Sequence, residues 1–388
     1  MDAPVNQRRL VHLTNVPTPY RIAFTNELQS ALNEEGIALH VLYCAEREPN
    51  RQWQIDYSSM KYPYTVLKGV SPKIGPLRAH INPSVIGALR RQRPDWLLVA
   101  GSWNLPTGLL ALNRVLSGKT QRIFWSEGHA DSVLNREGPI AKLRRRVLRS
   151  YDLFAVPNTA SCDHLQSDLG YRPKCLPLPN TVDEGFYSEA RTFDSAAARA
   201  QVGGDPSRLL LVWVAQLVDR KGCIELSEAL GLLPTAVREK LQLAFIGTGP
   251  LSERVKATAE SAGVQVKMCG HLDAENVRLW LAACDGFVLP TKIDPNPLSV
   301  IEAAFAGKPL LVSRKAGNFR ELVEESVTGM AIDEVTPASI ATTIERFANL
   351  NREERLAMGG KAAERAELGF RREAVATTFV HALLEGKG

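Results

Sequence analysis

Leu209-Leu210-Leu211-Val212-Trp213-Val214-Ala215 is an unbroken apolar run of strand length, and it opens a series of such runs. Leu241–Ile246, residues 264–269, Gly286–Leu289 and residues 309–312 follow it, each nearly continuously apolar. A strand with one wet face alternates apolar and polar residues, whereas a strand buried on both faces does not, so these runs predict a parallel sheet covered on both sides. Helical patterns at 225–233, 251–262, 276–283 and 298–306 supply the crossovers that parallel strands need. The first half repeats the alternation, with strands predicted at 10–14, Ala38–Tyr43, Trp96–Ala100, 122–125, Leu153–Val156 and 174–178, and helical patterns at 21–33 and 140–150. The expected class is α/β, as two doubly wound domains. The polar, alanine-rich stretch 188–207, which contains Gly203, Gly204, Asp205 and Pro206, reads as the linker between residues 1–187 and 208–371. Residues 372–388 read as a C-terminal helix that returns to the N-terminal domain or stands apart from it. Ligands of such sheets gather at the carboxyl ends of the strands, so the expected active site is a cleft shared by the two domains.

Composition narrows the class without naming an activity. With 388 residues, 45% hydrophobic and 23% charged, the chain is an ordinary globular protein of two or three domains, which excludes disordered, collagenous and coiled-coil readings. Its six cysteines lie far apart with no C-x-x-C pair, so neither a zinc ribbon nor a disulfide framework is expected, and a reducing cytosol is the simplest setting. The longest uncharged run, 96–113, is broken by Gly101, Ser102, Asn104, Pro106 and Gly108, and no membrane span is expected. The net charge of +5 is unevenly placed. Residues 51–150 hold 17 Lys and Arg against 5 Asp and Glu, while residues 191–388 hold 24 against 25. A basic first half favours a polyanionic neighbour. Residues 140–149, Ile-Ala-Lys-Leu-Arg-Arg-Arg-Val-Leu-Arg, mix apolar and cationic side chains at helical spacing and point to an anionic membrane surface. No recognised motif accompanies the charge, so nucleic acid is not an expected partner.

The segment richest in chemistry is Asp294-Pro295-Asn296-Pro297-Leu298-Ser299-Val300-Ile301-Glu302-Ala303. It puts one carboxylate in a loop after a strand and a second two turns away inside the next helix. After Pro297, the amides of Leu298 and Ser299 open that helix without partners, a ready position for an anionic phosphate. Glu302, one turn further in, is placed to accept from a ribose hydroxyl pair.

Two acids separated by seven residues resemble the E-x7-E signature of the retaining family 4 glycosyltransferases of GT-B fold. Other stretches are similar to that family's landmarks: 214–222 around Gln216, Arg220 and Lys221, the glycine turn 245–250 with Gly247, the segment 316–323 with Thr328-Gly329, and Pro179-Asn180-Thr181-Val182-Asp183. The resemblance covers nearly the whole chain, densely from 174 to 331. It implies two Rossmann-like domains facing a central cleft, and a nucleotide-sugar donor held by Glu302, Leu298, Ser299, Gln216, Arg220, Gly247 and Pro297. It further implies catalytic roles for Asp294, Lys221 and His129, and an acceptor, carbohydrate or lipid-linked, met by Tyr20, Arg21 and Glu127 of the first domain. Two departures stand out: Asp294 is one methylene shorter than the family's usual Glu, and Gln216 replaces an expected Arg, removing a fixed charge from the diphosphate site.

Departure of a nucleoside diphosphate requires its growing charge to be stabilised, which a Lys and helix amides can do. No DxD motif is present, so no metal and no resident cofactor are expected. The implied activity is sugar transfer with retention in cell-envelope polysaccharide or glycolipid synthesis, by a cytoplasmic enzyme peripheral to the inner face of the membrane. A sugar-nucleotide epimerase of the same architecture and an idle sugar-nucleotide-binding protein are the alternatives.

Overall fold

The computed structural model describes residues 7–47, 55–74, 77–115, 118–128 and 137–386. The chain forms two compact units, Met1–Pro179 with Arg372–Gly388, and Asn180–Arg371. The first contains β1 (Arg9–Thr14), β2 (Ala38–Tyr43), β3 (Tyr64–Val66), β4 (Lys73–Ile74), β5 (Leu77–Arg78), β6 (Trp96–Ala100), β7 (Gln121–Trp125), β8 (Leu153–Val156) and β9 (Cys175–Pro177). Seven of these make one parallel sheet in the order β3-β2-β1-β6-β7-β8-β9, and β4 and β5 form a separate antiparallel pair. Leu10, Trp96, Leu98 and Ile123 face one apolar layer, Val11, Leu97, Val99 and Phe124 the other, which is why these strands read as continuous apolar runs.

The helix Arg372–Glu385 belongs to this unit. Its Val375, Phe379, Val380 and Leu383 are buried in the same layer as Phe24 and Leu28 of the helix Pro19–Glu34. Lys174 Nζ donates to the carbonyl of Glu385 at 3.3 Å and Gln121 Nε2 to that of Gly386 at 3.1 Å.

The second unit contains β10 (Leu209–Val214), β11 (Leu241–Ile246), β12 (Gln265–Gly270), β13 (Gly286–Leu289), β14 (Leu310–Ser313) and β15 (Gly329–Ile332), all parallel, in the order β12-β11-β10-β13-β14-β15. β15 was not among the predicted strands.

Three expectations need correction. Residues 188–207 are not a free linker: Ala190, Ala198 and Val202 are buried in the core of the second unit, as is Tyr187 just before them. Asp194 caps the helix Ser195–Gln201 by accepting from the amide of Ala196, and Arg199 fixes it by donating to Ala283 O at 2.9 Å and Asp285 Oδ2 at 2.6 Å. Alanines that look featureless in sequence are strong helix formers that pack closely. The second correction is a disulfide between Cys162 and Cys175. Cys162 lies on the helix Thr159–Leu169, which runs back along the sheet after β8, and Cys175 opens β9 beside β8, so a single crossover brings them together without a short motif.

The third concerns the basic helix, Gly138–Leu148. Arg144 is not displayed on its surface but buried, gripping Asp168 through two bonds of 2.8 and 2.7 Å, with Arg145 joining at 3.2 Å. The outward face presents Ile140, Lys142, Leu143 and Arg146. Among the described residues no helix is long and apolar enough to cross a membrane.

Candidate active site

The sheet of the second unit reverses its winding between β10 and β13, and the loops that leave these two strands therefore diverge around a crevice at their carboxyl ends. The loop after β10 closes in a short 3₁₀ turn, Asp219–Lys221, ended by Gly222 at φ 67°. A Cβ at position 222 would lie 1.8 Å from the carbonyl oxygen of Pro290, so only glycine lets the two loops approach this closely. The Arg220 carbonyl then accepts from Thr291 Oγ1 at 2.9 Å and from the amides of Lys292 and Ile293 at 2.8 and 3.2 Å. Lys292 Nζ ties the same turn through Asp219 and Glu225, both at 2.7 Å.

This stitching brings Lys221 to Asp294. The Lys221 ammonium donates to Asp294 Oδ2, and both side chains are almost fully buried. Burial depresses the Lys221 pKa, opposed in part by the Asp294 charge. Asp294 is itself fixed, since its carbonyl accepts from the Gly317 amide at 2.8 Å and Oδ1 from the Asn296 amide at 3.3 Å.

The helix Leu298–Phe305 begins at Pro297 with no side-chain cap, leaving Leu298 and Ser299, both half-buried, at a bare amide end. The Pro297 carbonyl accepts from Asn318 Nδ2 at 3.0 Å. Asn296 Oδ1 and Nδ2 and Asn318 Oδ1 are buried without a partner. Unpaired polar atoms under the surface are costly, and several around one crevice mark the place where a polar ligand would complete them. Glu302 sits one turn inside, hydrogen-bonded with Tyr187, and burial pushes its pKa up to about 7 although that bond acts the other way. Tyr187 is raised in turn by burial and by the neighbouring Glu302.

Gly247, at φ 140°, follows β11, and a Cβ there would meet the Ala215 carbonyl oxygen at 1.8 Å, which holds a third loop against the same edge. Gln216 and Arg220 are exposed on their loop. Lys221 and Asp294 are thus joined directly, with Asn296, Pro297, Leu298 and Ser299 following along the same loop. Sequence reasoning gave no role to Asn296, Asn318 or Tyr187. The first two lie inside quoted motifs; Tyr187 carried no local signal, because its partner Glu302 is over a hundred residues away.

The first unit has its own reversal, between β1 and β6. Tyr20 and Arg21 lie in the first turn of the helix after β1, and Glu127 follows β7. Arg21 Nη2 donates to Glu127 Oε1 at 2.8 Å while its guanidinium lies 4.6 Å over the Trp125 ring and 5.9 Å from that of Tyr20. Burial alone would lower the Arg21 pKa, but Glu127 and Tyr20 overcome it and the shift is upward. Beneath, His12 is buried with neither ring nitrogen paired, and burial with the Arg21 charge brings its pKa down to about 3, so it is neutral at pH 7. Asn15 Oδ1, Thr18 Oγ1 and Trp125 Nε1 are also buried without a partner. His129 lies outside the described residues.

Two doubly wound parallel sheets, with buried cationic and acidic groups at the switch point of the second, define an α/β protein of GT-B fold. Residues 194–365 match the model of the family described as glycosyl transferases group 1. The chain is 25% identical over 302 residues to a sulfoquinovosyl transferase of Arabidopsis thaliana, covering 75% of this chain and 57% of that protein. It is 24% identical over 272 residues to a GDP-mannose-dependent phosphatidylinositol monomannoside mannosyltransferase of Corynebacterium glutamicum, covering 68% of each. In structure it is similar to Anabaena HepE solved with UDP and glucose, at a TM-score of 0.70 and 15% identity over 97% of this chain and all of that one. A Rickettsia africae glycosyltransferase reaches 0.76 at 11% identity, over 98% of this chain and 99% of that one. The chain thus spans little more than half of the first relative's length.

Proposed function

We propose that the protein transfers a sugar from a nucleoside-diphosphate sugar to a carbohydrate or lipid-linked acceptor, with retention of anomeric configuration. The observation that carries the reading is the buried Lys221–Asp294 pair beside the uncapped start of Leu298–Phe305. In this reading the diphosphate takes the place of Asp294 at Lys221 and receives the amides of Leu298 and Ser299, while Glu302 accepts from the ribose. The bond from the anomeric carbon to the phosphate oxygen breaks as positive charge grows on the sugar, and Lys221 meets the charge left on the diphosphate. The acceptor oxygen attacks from the same face, and its proton passes to the departing phosphate. Asp294, freed from Lys221, steadies the sugar. This route draws its positive charge from side chains and amides and needs no metal. Tyr20, Arg21 and Glu127 take the acceptor. The similarity to the mannosyltransferase and to the sulfoquinovosyl transferase supports a glycolipid or polysaccharide product.

Thermal shift with UDP, GDP and ADP, followed by product analysis with the matching sugar donor alone, is the test. A nucleotide at 100 times its dissociation constant should stabilise by about 2.7 kcal/mol. Slow donor hydrolysis is the expected product, whereas an epimerised sugar would turn the assignment to the epimerase. For a lipid-linked acceptor, the exposed Ile140, Lys142, Leu143 and Arg146 are the surface that meets anionic lipid. Lys142→Gln with Arg146→Gln should weaken co-sedimentation with phosphatidylglycerol vesicles at low salt, and a wild-type protein that ignores such vesicles would favour a soluble acceptor.

A further inference from the structure

We infer that the second unit carries a second ligand site, for a small organic molecule bearing two phosphate charges, on the edge of the sheet opposite the catalytic loops. A cavity of about 560 Å³ opens there, within the size range of small-molecule sites. Its lining comes from the strand starts and the residues just before them, Arg208 with Leu209 at the start of β10, Lys240 before β11, Ala283–Asp285 before β13 and Gly307–Pro309 before β14, closed by the helices Ser195–Gln201 and Arg352–Phe370. Strands of four to six residues at about 3.3 Å each separate this edge from Lys221 and Asp294. The two places cannot share one ligand.

The charge is one-sided. Arg199, Arg208, Lys240, Lys308, Arg352 and Arg355 line the cavity against the single carboxylate of Asp285. Two of these cations are committed to the fold: Arg199 to Asp285 and to Ala283 O, and Lys308 Nζ to the carbonyls of Ala282 and Cys284, both at 3.1 Å. The others are not consumed. Arg208 has only the half-exposed Asp205 at 3.1 Å, and Arg355 donates to the Leu350 carbonyl but keeps Nε buried without a partner. Lys240 and Arg352 are exposed and make no ion pair among the described residues. Cations converging from separate segments on a concavity repel one another, and a multiply charged anion relieves that repulsion; guanidinium forks match phosphate oxygens in particular. Val237, Leu209 and Leu356, the last 62% exposed, provide apolar wall for the carbon part.

Inorganic pyrophosphate is the probe, titrated calorimetrically at low salt into wild type, Lys221→Ala and the double variant Lys240→Gln, Arg352→Gln. Both changed residues of the double variant are exposed, so its folding should be unaffected, as a matched melting curve would show. Because the catalytic loops are themselves proposed to hold a diphosphate, the expected result is two classes of pyrophosphate site in wild type: Lys221→Ala removes one and leaves the other within about twofold, while the double variant weakens that other site at least tenfold. Binding lost in Lys221→Ala and kept in the double variant would overturn the proposal by placing the anion at the catalytic loops. Absence of binding to wild type would overturn it as well. Vesicles containing phosphatidylglycerol form a separate arm: if they, and not pyrophosphate, bind in a manner that needs Lys240 and Arg352, the phosphate belongs to a lipid headgroup and the small-molecule site is wrong.

Discussion

The two sheet edges are held together by different means. In the second unit, backbone fixes the site: glycines at 222 and 247 let one loop rest on another, carbonyls and amides stitch the loops, and Lys221 and Asp294 arrive already paired. In the first unit, side chains do it, with Arg21 suspended between Glu127 and the ring of Trp125 over a layer of unpaired polar atoms. A site set by backbone leaves glycines and prolines at fixed intervals in the sequence, and the group 1 domain match covers that region. A site set by long side chains leaves no such punctuation, and its side chains can be replaced without disturbing the sheet.

Substitution at the loop glycines tests the contrast most severely. Gly222→Ala combines a positive φ with a Cβ only 1.8 Å from the Pro290 carbonyl oxygen, and should cost about 3 kcal/mol or more of stability, read from denaturant unfolding. Gly101 of the first unit also has a positive φ, 118°, so its substitution carries backbone strain too, but the nearest atom to an added Cβ is a side-chain oxygen, Asn15 Oδ1, at 3.2 Å, rather than a backbone carbonyl at 1.8 Å. A larger loss at 101 than at 222 would break the distinction.

Lys221→Ala comes next. We expect turnover to fall roughly 100-fold, about 2.7 kcal/mol, because the ammonium meets charge that develops as the diphosphate leaves. Full turnover with a raised donor KM alone would reduce Lys221 to a ground-state contact.

Glu302→Gln should weaken nucleotide binding by about 1 to 3 kcal/mol at pH 8. The pH profile is sharper evidence. Burial raises the Glu302 pKa from 4.5 to about 7, so the carboxylate proposed to accept from ribose accumulates only as pH rises through 7. Wild-type affinity should therefore climb between pH 6 and 8 and that of the Gln variant should stay level. The same shift makes the ionised form a burden on the free protein, which loses stability relative to the Gln variant as pH rises from about 4.5 to 7. The smallest effect is expected from Arg21→Gln, about 1 kcal/mol in acceptor KM with donor hydrolysis unchanged. Loss of donor hydrolysis in that variant would show that Arg21 acts on the donor.

Most strands were legible because residues buried on both faces cannot alternate, the edge strand β12 being the exception with Gln265 and Lys267 exposed, and the 294–303 segment because a bare helix start after two prolines is a local feature. What escaped was nonlocal. The alanines of 196–200 looked like linker until their neighbours in the core were known, and nothing near Cys162 announces Cys175. The sequence groups Arg144 with its basic neighbours, but Asp168, on the next helix, draws it inward. Tyr187, assigned by its position to the first domain, turns out to bond with Glu302 in the second.

Met1–Pro179 and Arg372–Gly388 make one unit, and the second unit lies in sequence between them. During synthesis the second unit is complete while the first still lacks the helix Arg372–Glu385, whose Phe379 and Leu383 cover the layer around Phe24 and Leu28. A ribosome-bound chain would therefore hold that apolar face open for the time needed to make nearly two hundred residues, about 10 to 40 s at ordinary elongation rates. Nascent chains stalled before residue 372 should therefore expose the layer around Phe24 and Leu28 to chaperones.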